Sequence, residues 1–171
     1  MEFIRLAEER FSVRDYQDRP IEQEKIDLIL KAGQLAPTAA NFQPQRIYMI
    51  RSAEGLAKIR AITRCAFNAP VVFMFAYDEN VQWRNRLEEG ITSGQQDVSI
   101  AAVHMMMEAW DLGIGSCWVD AFPNSETAKA FNLPENEKVV MLMPMGYPSD
   151  KAEPSPKHKE TQPLDVLVKE L

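Results

Sequence analysis

Two arginines and a serine near the start of the chain have the residue types and spacing of a phosphate site. Arg10, Ser12 and Arg14 occupy alternate positions, so an extended or turning backbone places their polar side chains on one side. Two guanidinium groups provide fixed positive charge and bidentate donors, and the hydroxyl provides one donor more. Taken alone, the same pattern also fits surface charge with a capping hydroxyl.

A second segment favours the ligand-binding interpretation. It runs from Pro37 to Pro44 and combines small residues with the polar side chains of Thr38, Asn41 and Gln43. A small-residue backbone can approach a flat ring closely, and amide side chains both donate and accept hydrogen bonds. A turn that merely ends a helix requires no such polar set. Together the two segments predict a phosphorylated cofactor with a planar, hydrogen-bonding head.

Helices and strands alternate along the rest of the chain, which predicts a mixed sheet with helices on its faces. The predicted helices cover residues 22–36, 53–63, 95–112 and 125–131, and the predicted strands cover residues 46–51, 69–77, 116–119 and 138–146. The apolar run at 69–77 predicts a strand buried on both faces. The helix at 95–112 is apolar nearly all round, which predicts burial in a core or an interface. The polar segment 81–94 fits a helix or a mobile loop.

Composition excludes several classes of protein. The chain has 171 residues and a net charge of −6 without a long basic run, which argues against nucleic acid and anionic membranes as partners. We therefore expect one domain over residues 1–171. No apolar run is long enough to span a bilayer, and the N-terminus lacks a signal-peptide pattern. Cys65 and Cys117 match no zinc or CxxC spacing, so we expect no metal site and two reduced thiols in a cytoplasmic protein.

The two segments resemble motifs of the nitroreductase family, which are FMN-dependent, NAD(P)H-oxidising flavoproteins. That family has Arg-x-Ser-x-Arg near its N-terminus and Pro-Ser/Thr-x-x-Asn-x-Gln-Pro after the next helix, and both stand here almost unaltered. The resemblance continues through residues 97–109, 112–116 and 146–148. Two positions depart from the pattern. Gln45 stands where a tryptophan is common. Lys157-His158-Lys159 stands in place of Lys-x-Arg, which keeps the positive charge but replaces the planar guanidinium group of arginine by an ammonium group.

The resemblance implies an α+β, nitroreductase-like fold. Its central sheet is mixed but mainly antiparallel and is flanked by helices. It further implies a homodimer with FMN at the subunit interface and a C-terminal tail that packs on the partner. The proline-rich tail after Pro148 is too short to build a core of its own, which agrees with that arrangement.

The same resemblance implies the cofactor-binding residues. Arg10, Ser12 and Arg14 would hold the FMN phosphate and ribityl chain, and the second segment would line the ring, often from the partner subunit. The backbone after Gly115 would pack near the reactive N5 edge. Arg64 lies either near the flavin pyrimidine or simply at the surface. The implied cofactor-binding residues are Arg10, Ser12, Arg14, Pro37, Thr38, Ala39, Asn41, Gln43, Cys117, Trp118, Val119, Lys157 and Lys159.

The implied activity transfers hydride from NAD(P)H to flavin N5 and then reduces nitroaromatic, quinone or similar flat acceptors in a ping-pong sequence. No catalytic side chain is expected, because the cofactor carries the chemistry. Two alternatives remain. One is an FMN storage or sensor protein without NAD(P)H turnover, and the other is a relative with dehalogenase or oxygen-dependent flavin chemistry, with its specificity in residues 81–94.

Overall fold

Four strands form one sheet in the computed structural model, which describes residues 2–171. They are β1 (Gln45–Ile50), β2 (Val71–Asp78), β3 (Gly115–Ser116) and β4 (Glu137–Gly146), in the spatial order β1-β2-β4-β3. Every neighbouring pair of these strands is antiparallel. One parallel bridge joins Ser12 to Ser116 at the β3 edge. The predicted mainly antiparallel sheet is therefore confirmed. The bridge between Ser12 and Ser116 is its parallel pairing.

Helices cover both faces of the sheet. They are α1 (Phe3–Glu9), α2 (Gln23–Leu35), α3 (Ala53–Ile62), α4 (Gly94–Asp111), α5 (Asn124–Ala130) and α6 (Leu164–Leu167). α2 and α4 pack on the face that carries Phe73 and Phe75, while α3 and α5 pack on the face that carries Val72 and Met74. These four β2 side chains are buried, so the prediction of a strand covered on both faces is confirmed.

Helix α4 is buried along one side only. Val98, Ala102 and Met105 are fully buried against the sheet and α2, whereas Ile100 and Val103 stay partly exposed on the other side. The sequence predicts burial in a core or an interface. In the single chain, one side of α4 is buried in the core and the other side is partly exposed. No helix in residues 2–171 is both long and apolar enough to cross a membrane.

The N-terminal segment is attached to β3 and β4. The Val13 backbone N–H donates to the Ser116 carbonyl at 2.9 Å. The single Tyr16 hydroxyl proton lies between two acceptors, the carbonyls of Val13 (2.7 Å) and Pro144 (3.0 Å). Val13 is fully buried against Gly115, where an added Cβ would lie 2.5 Å from its Cγ2 atom. Glycine at position 115 thus lets the segment with Arg10, Ser12 and Arg14 lie close to β3.

Residues 81–93 form a turn rather than a helix, and Gly94 already begins α4, so the helix alternative is wrong here. Arg84 and Thr92 form an antiparallel bridge, and the Asn85 N–H donates to the Ile91 carbonyl at 2.9 Å. Trp83, Leu87 and Ile91 do stand at helical spacing, but Leu87 is 97% exposed and Ile91 46%, so no core covers such a stripe. Gly90, with a φ of 83°, also interrupts a helical backbone.

The C-terminal tail lies on the surface of the single chain. A short 3-10 turn covers Pro156–Lys159, and α6 leaves Leu164 76% exposed. The predicted packing of this tail on a partner subunit stays a prediction. The same holds for the single domain over residues 1–171, of which Met1 lies outside the described residues.

Candidate functional site

Three of the predicted segments meet at the β3 edge of the sheet. Ser12 is bridged to Ser116, which places the N-terminal segment beside Cys117. Burial raises the pKa of the Cys117 thiol, while the charge of Arg14, a hydrogen bond from Ser12 and the charge of Arg10 all act to lower it. All three side chains of the predicted phosphate site therefore lie within interaction range of Cys117.

The tail lies at the same corner of the sheet, which we call the arginine corner because Arg10 and Arg14 lie there. The His158 ring packs edge-on against Phe11 with 6.3 Å between the ring centroids, and its Nε2 lies 3.2 Å from the Glu8 carbonyl oxygen. Lys157 and Lys159 flank this anchored histidine, and both are exposed. The structure thus brings these lysines to the neighbourhood of Arg10, and their contact with a phosphate stays a prediction.

The guanidinium groups of this corner are not neutralised by the chain. Arg14 Nη1 donates to the Ser12 carbonyl at 3.2 Å, and neither Arg10 nor Arg14 forms an ion pair with a carboxylate in residues 2–171. Two adjacent unpaired cations in a chain with a net charge of −6 attract an anion. This donor set fits a phosphate monoester, which accepts several charge-assisted hydrogen bonds.

The segment after β3 offers a free backbone donor at Trp118. The N–H groups of Cys117 and Val119 donate to the carbonyls of Pro144 (3.2 Å) and Leu142 (3.0 Å) on β4. Trp118 stands between them, and its N–H makes no backbone hydrogen bond within the described chain. Because alternate N–H groups of an extended segment point to opposite sides, this donor points away from β4. The Trp118 indole Nε1–H is engaged separately by the Asp120 carboxylate, at 3.0 Å.

The fourth predicted segment is held at the start of α4. The Ala39 N–H donates to Asp97 Oδ1 at 2.9 Å, and the Ser93 hydroxyl donates to Asp97 Oδ2 at 2.7 Å. Asp97 is only 2% exposed, so its carboxylate acts as a buried anchor for the turn. Inside the turn, the Gln43 N–H donates to the Thr38 hydroxyl at 3.1 Å. Sequence reasoning missed this positioning role of Asp97, whose only signal is its place in the first turn of α4.

Three residues of this turn adopt left-handed backbone conformations. Ala40, Asn41 and Gln43 have φ angles of 49°, 59° and 51°. Such angles are uncommon for residues other than glycine, and a cluster of them is typical of a ligand site. The exposed side chains of Asn41 and Gln43 contact each other, with Nε2 of Gln43 3.2 Å from Oδ1 of Asn41. Next to the turn, Gln45 Oε1 is buried without a hydrogen-bond partner among residues 2–171.

The turn and the arginine corner lie at diagonally opposite corners of the sheet. The turn leads into β1 beside the last residue of β2, since the Asp78 N–H donates to the Pro44 carbonyl. The Ser12–Ser116 bridge lies beside the first residue of β2, because Val71 and Ser116 both pair with Met145. The turn and the Ser12 segment are thus about 23 Å apart along β2 and about 19 Å apart across the strands, which is four strand spacings. Within one chain they do not form a single site.

Arg64 lies elsewhere on the surface. It is exposed on the 3-10 turn Arg64–Ala66, which is joined to the segment after Val119 by a 2.9 Å hydrogen bond from the Thr63 hydroxyl to the Ala121 carbonyl. A role of Arg64 beside a flavin stays a prediction.

These observations define an α+β protein with a pair of arginines unpaired by any carboxylate of residues 2–171, and with a turn that holds Asn41 and Gln43 in left-handed backbone conformations. The model of the nitroreductase family matches residues 7–67 and 63–147. The chain belongs to the nitroreductase family, and the predicted family and fold class are confirmed.

Individual relatives cover nearly the whole chain. A protein of Archaeoglobus fulgidus, named as an NADH dehydrogenase/NAD(P)H nitroreductase, is 33% identical over 88% of this chain and 87% of its own length. The FMN reductase [NAD(P)H] of Bacillus subtilis is 26% identical over 94% of this chain and 74% of its own length. The crystal structure of a nitroreductase family protein from Clostridium difficile 630 matches with a TM-score of 0.91 and 35% identity, covering 99% of this chain and 98% of that one.

Proposed function

We propose that this chain is an FMN-dependent NAD(P)H oxidoreductase that reduces nitroaromatic, quinone or similar flat acceptors. The observation that carries the proposal is the unpaired Arg10/Arg14 corner with Ser12, built in a chain of the nitroreductase family. The FMN reductase relative and the NAD(P)H nitroreductase relative support FMN as the cofactor and NAD(P)H as the reductant. When bound, FMN supplies the hydride and electron transfer chemistry.

The residues of the arginine corner fit the phosphate end of FMN. Arg10 and Arg14 supply charge and forked donors, and the Ser12 hydroxyl adds a shorter-range donor. Lys157 and Lys159 lie near this corner and add positive charge around it. The outward N–H of Trp118 follows along the same edge of the sheet and is the donor that we assign to the ring.

The remaining ring contacts come from a second copy of the chain. Asn41 and Gln43 lie at the opposite corner of their own sheet, so they reach the arginine corner only across a dimer interface. A two-fold arrangement brings the turn of each subunit to the arginine corner of its partner and builds two equal sites. In this arrangement the turn orients the ring and covers it from water.

Exposed apolar side chains support the homodimer. Phe3 and Ile4 on α1 are 67% and 68% exposed, and a groove between α1, α2 and α4 has a volume of about 570 Å³. The tail adds Leu164, Leu167 and Val168, each more than half exposed. Apolar surface of this extent is typical of an interface, and a tail without its own core requires something to pack on. We propose that the tail packs on the partner subunit.

The cysteines support the proposed cytoplasmic location. Cys65 and Cys117 are both free thiols in the structure. Reduced cysteines without a disulfide framework are typical of proteins that act in a reducing compartment.

Steady-state turnover tests the proposed function. FMN-loaded protein should oxidise NADH or NADPH in the presence of 1,4-benzoquinone or nitrobenzene. Double-reciprocal plots should give parallel lines, because the oxidised nucleotide leaves the site before the acceptor binds there. A protein that binds FMN but oxidises neither nucleotide, with either acceptor present, contradicts the proposal. Heat-denatured protein with the same amount of FMN is the control for free-flavin chemistry.

A further inference from the structure

A cleft of about 800 Å³ lies between the strained turn and residues 80–87. Phe42, beside the left-handed residues of the turn, forms part of one wall. Trp83 and Leu87 form part of the other, and Leu87 is 97% exposed. A cleft of this volume suits a ligand of small-molecule size. Its aromatic walls suit a planar group, because flat rings stack on aromatic side chains.

Two arginines give this cleft a positive charge. Arg84 and Arg86 both line it, and no carboxylate of the described residues does. Glu88 and Glu89 follow in the sequence but do not contribute to the lining. Arg84 is held in place because its Nη2 donates to the Glu79 carbonyl at 2.7 Å. Arg86 forms no hydrogen bond or ion pair within residues 2–171, so its guanidinium is available to a ligand.

Hydrogen bonds to α4 hold the wall that carries these arginines. The Ser93 N–H donates to the Trp83 carbonyl at 3.1 Å, and the Gly94 N–H donates to Gln82 Oε1, which is buried, also at 3.1 Å. These bonds attach the wall to the first turn of α4, where Asp97 holds the opposite wall through Ala39. Both walls therefore have a common anchor, and little ordering entropy is lost on binding.

We propose that this cleft binds a planar aromatic group that carries a negative charge, and that Arg84 and Arg86 select for that charge. The inference rests on the proposed function, since the turn that forms one wall is the turn that lines the ring. Two ligands of this enzyme class share the required chemistry. One is the adenosine portion of NADPH with its 2′-phosphate, and the other is an aromatic acceptor with a carboxylate.

Direct binding tests the proposal without turnover. The double variant Arg84→Gln/Arg86→Gln should bind adenosine 2′,5′-bisphosphate or 4-nitrobenzoate about 10- to 100-fold more weakly in a calorimetric titration, because charge-assisted contacts are lost. Affinity for the neutral probes adenosine and nitrobenzene should stay unchanged. Arg51→Gln is the matched control, because Arg51 is an exposed arginine that follows the far end of β1 and bonds to Gln23. The variant Arg84→Gln/Arg86→Lys should bind the charged probes more tightly than the double glutamine variant, because lysine keeps the positive charge.

The kinetic outcomes identify the ligand. If the double variant loses kcat/KM for NADPH and retains it for NADH, the cleft binds the reductant. If it loses kcat/KM for 4-nitrobenzoate and retains it for nitrobenzene, the cleft binds the acceptor. Unchanged affinity for both charged probes overturns the inference. Failure of the proposed function is a separate result, in which the natural chain does not bind FMN or does not turn over NADH with a neutral quinone.

Discussion

The double variant Arg10→Ala/Arg14→Ala should bind FMN about 10²- to 10³-fold more weakly than the natural chain. In our account these two guanidinium groups neutralise the phosphate, and each charge-assisted contact contributes about 1.5–3 kcal/mol. Arg14 is exposed, so solvent screening reduces its share. A combined loss of about 3–4 kcal/mol corresponds to the stated fold-change. Quenching of FMN fluorescence on titration with protein measures it.

The loss should be specific to this corner. Arg5 and Arg19 are also exposed arginines near the N-terminus, but they form ion pairs with Glu9 and Glu22. The control variant Arg5→Ala/Arg19→Ala should therefore bind FMN with nearly unchanged affinity. The variant Arg10→Lys/Arg14→Lys should bind FMN with intermediate affinity, because lysine keeps the positive charge but lacks the paired N–H donors of a guanidinium group. Equal affinity of the alanine variant and the natural chain would disprove the phosphate assignment.

Two variants that each fail to bind FMN should recover binding when their subunits are exchanged. Arg10→Ala/Arg14→Ala damages the arginine corner, and Asn41→Ala/Gln43→Ala damages the turn. A mixed dimer contains one site in which both defects meet and one site in which neither occurs, because each site takes its two halves from different chains. With random exchange about one quarter of all sites should be intact.

Subunit exchange by unfolding and refolding an equimolar mixture, followed by measurement of bound FMN, checks this expectation. The same treatment of each variant alone supplies the baseline. Recovery is impossible if both halves of a site belong to one chain, since every chain in the mixture carries one defect. Absence of recovery in a mixture shown to contain mixed dimers would therefore contradict the shared site.

Local sequence patterns were sufficient to predict the longer elements, namely α2 to α5 and the strands β1, β2 and β4, but not the short helix α6. The apolar run around Phe73 and Phe75 indicated a strand buried on both faces, and the structure has β2 there. Helix boundaries also follow local signals, as at Ser52, whose hydroxyl accepts a hydrogen bond from the Gly55 N–H and caps α3. Residues 81–94 carry a helical period in Trp83, Leu87 and Ile91, yet no helix forms over residues 81–93. Their conformation depends instead on the bridge between Arg84 and Thr92 and on attachment to α4.

The sequence indicated the residue types of the site but not their arrangement. Ser12 and Cys117 become neighbours through pairing between segments about a hundred positions apart, and no local pattern specifies such pairing. The separation of the turn from the arginine corner follows from the strand order β1-β2-β4-β3, which is likewise a long-range property. The role of Asp97 as an anchor has the same origin, because its partner Ala39 lies 58 residues away.

Separate anaerobic titrations of the FMN-loaded protein with NADH and with NADPH show whether a nicotinamide nucleotide reduces the bound flavin. We expect the visible flavin absorbance to bleach on addition of about one equivalent of at least one nucleotide, and to return when a quinone is added. A flavin spectrum that both nucleotides leave intact would contradict an NAD(P)H oxidoreductase and would favour a protein that stores or senses FMN.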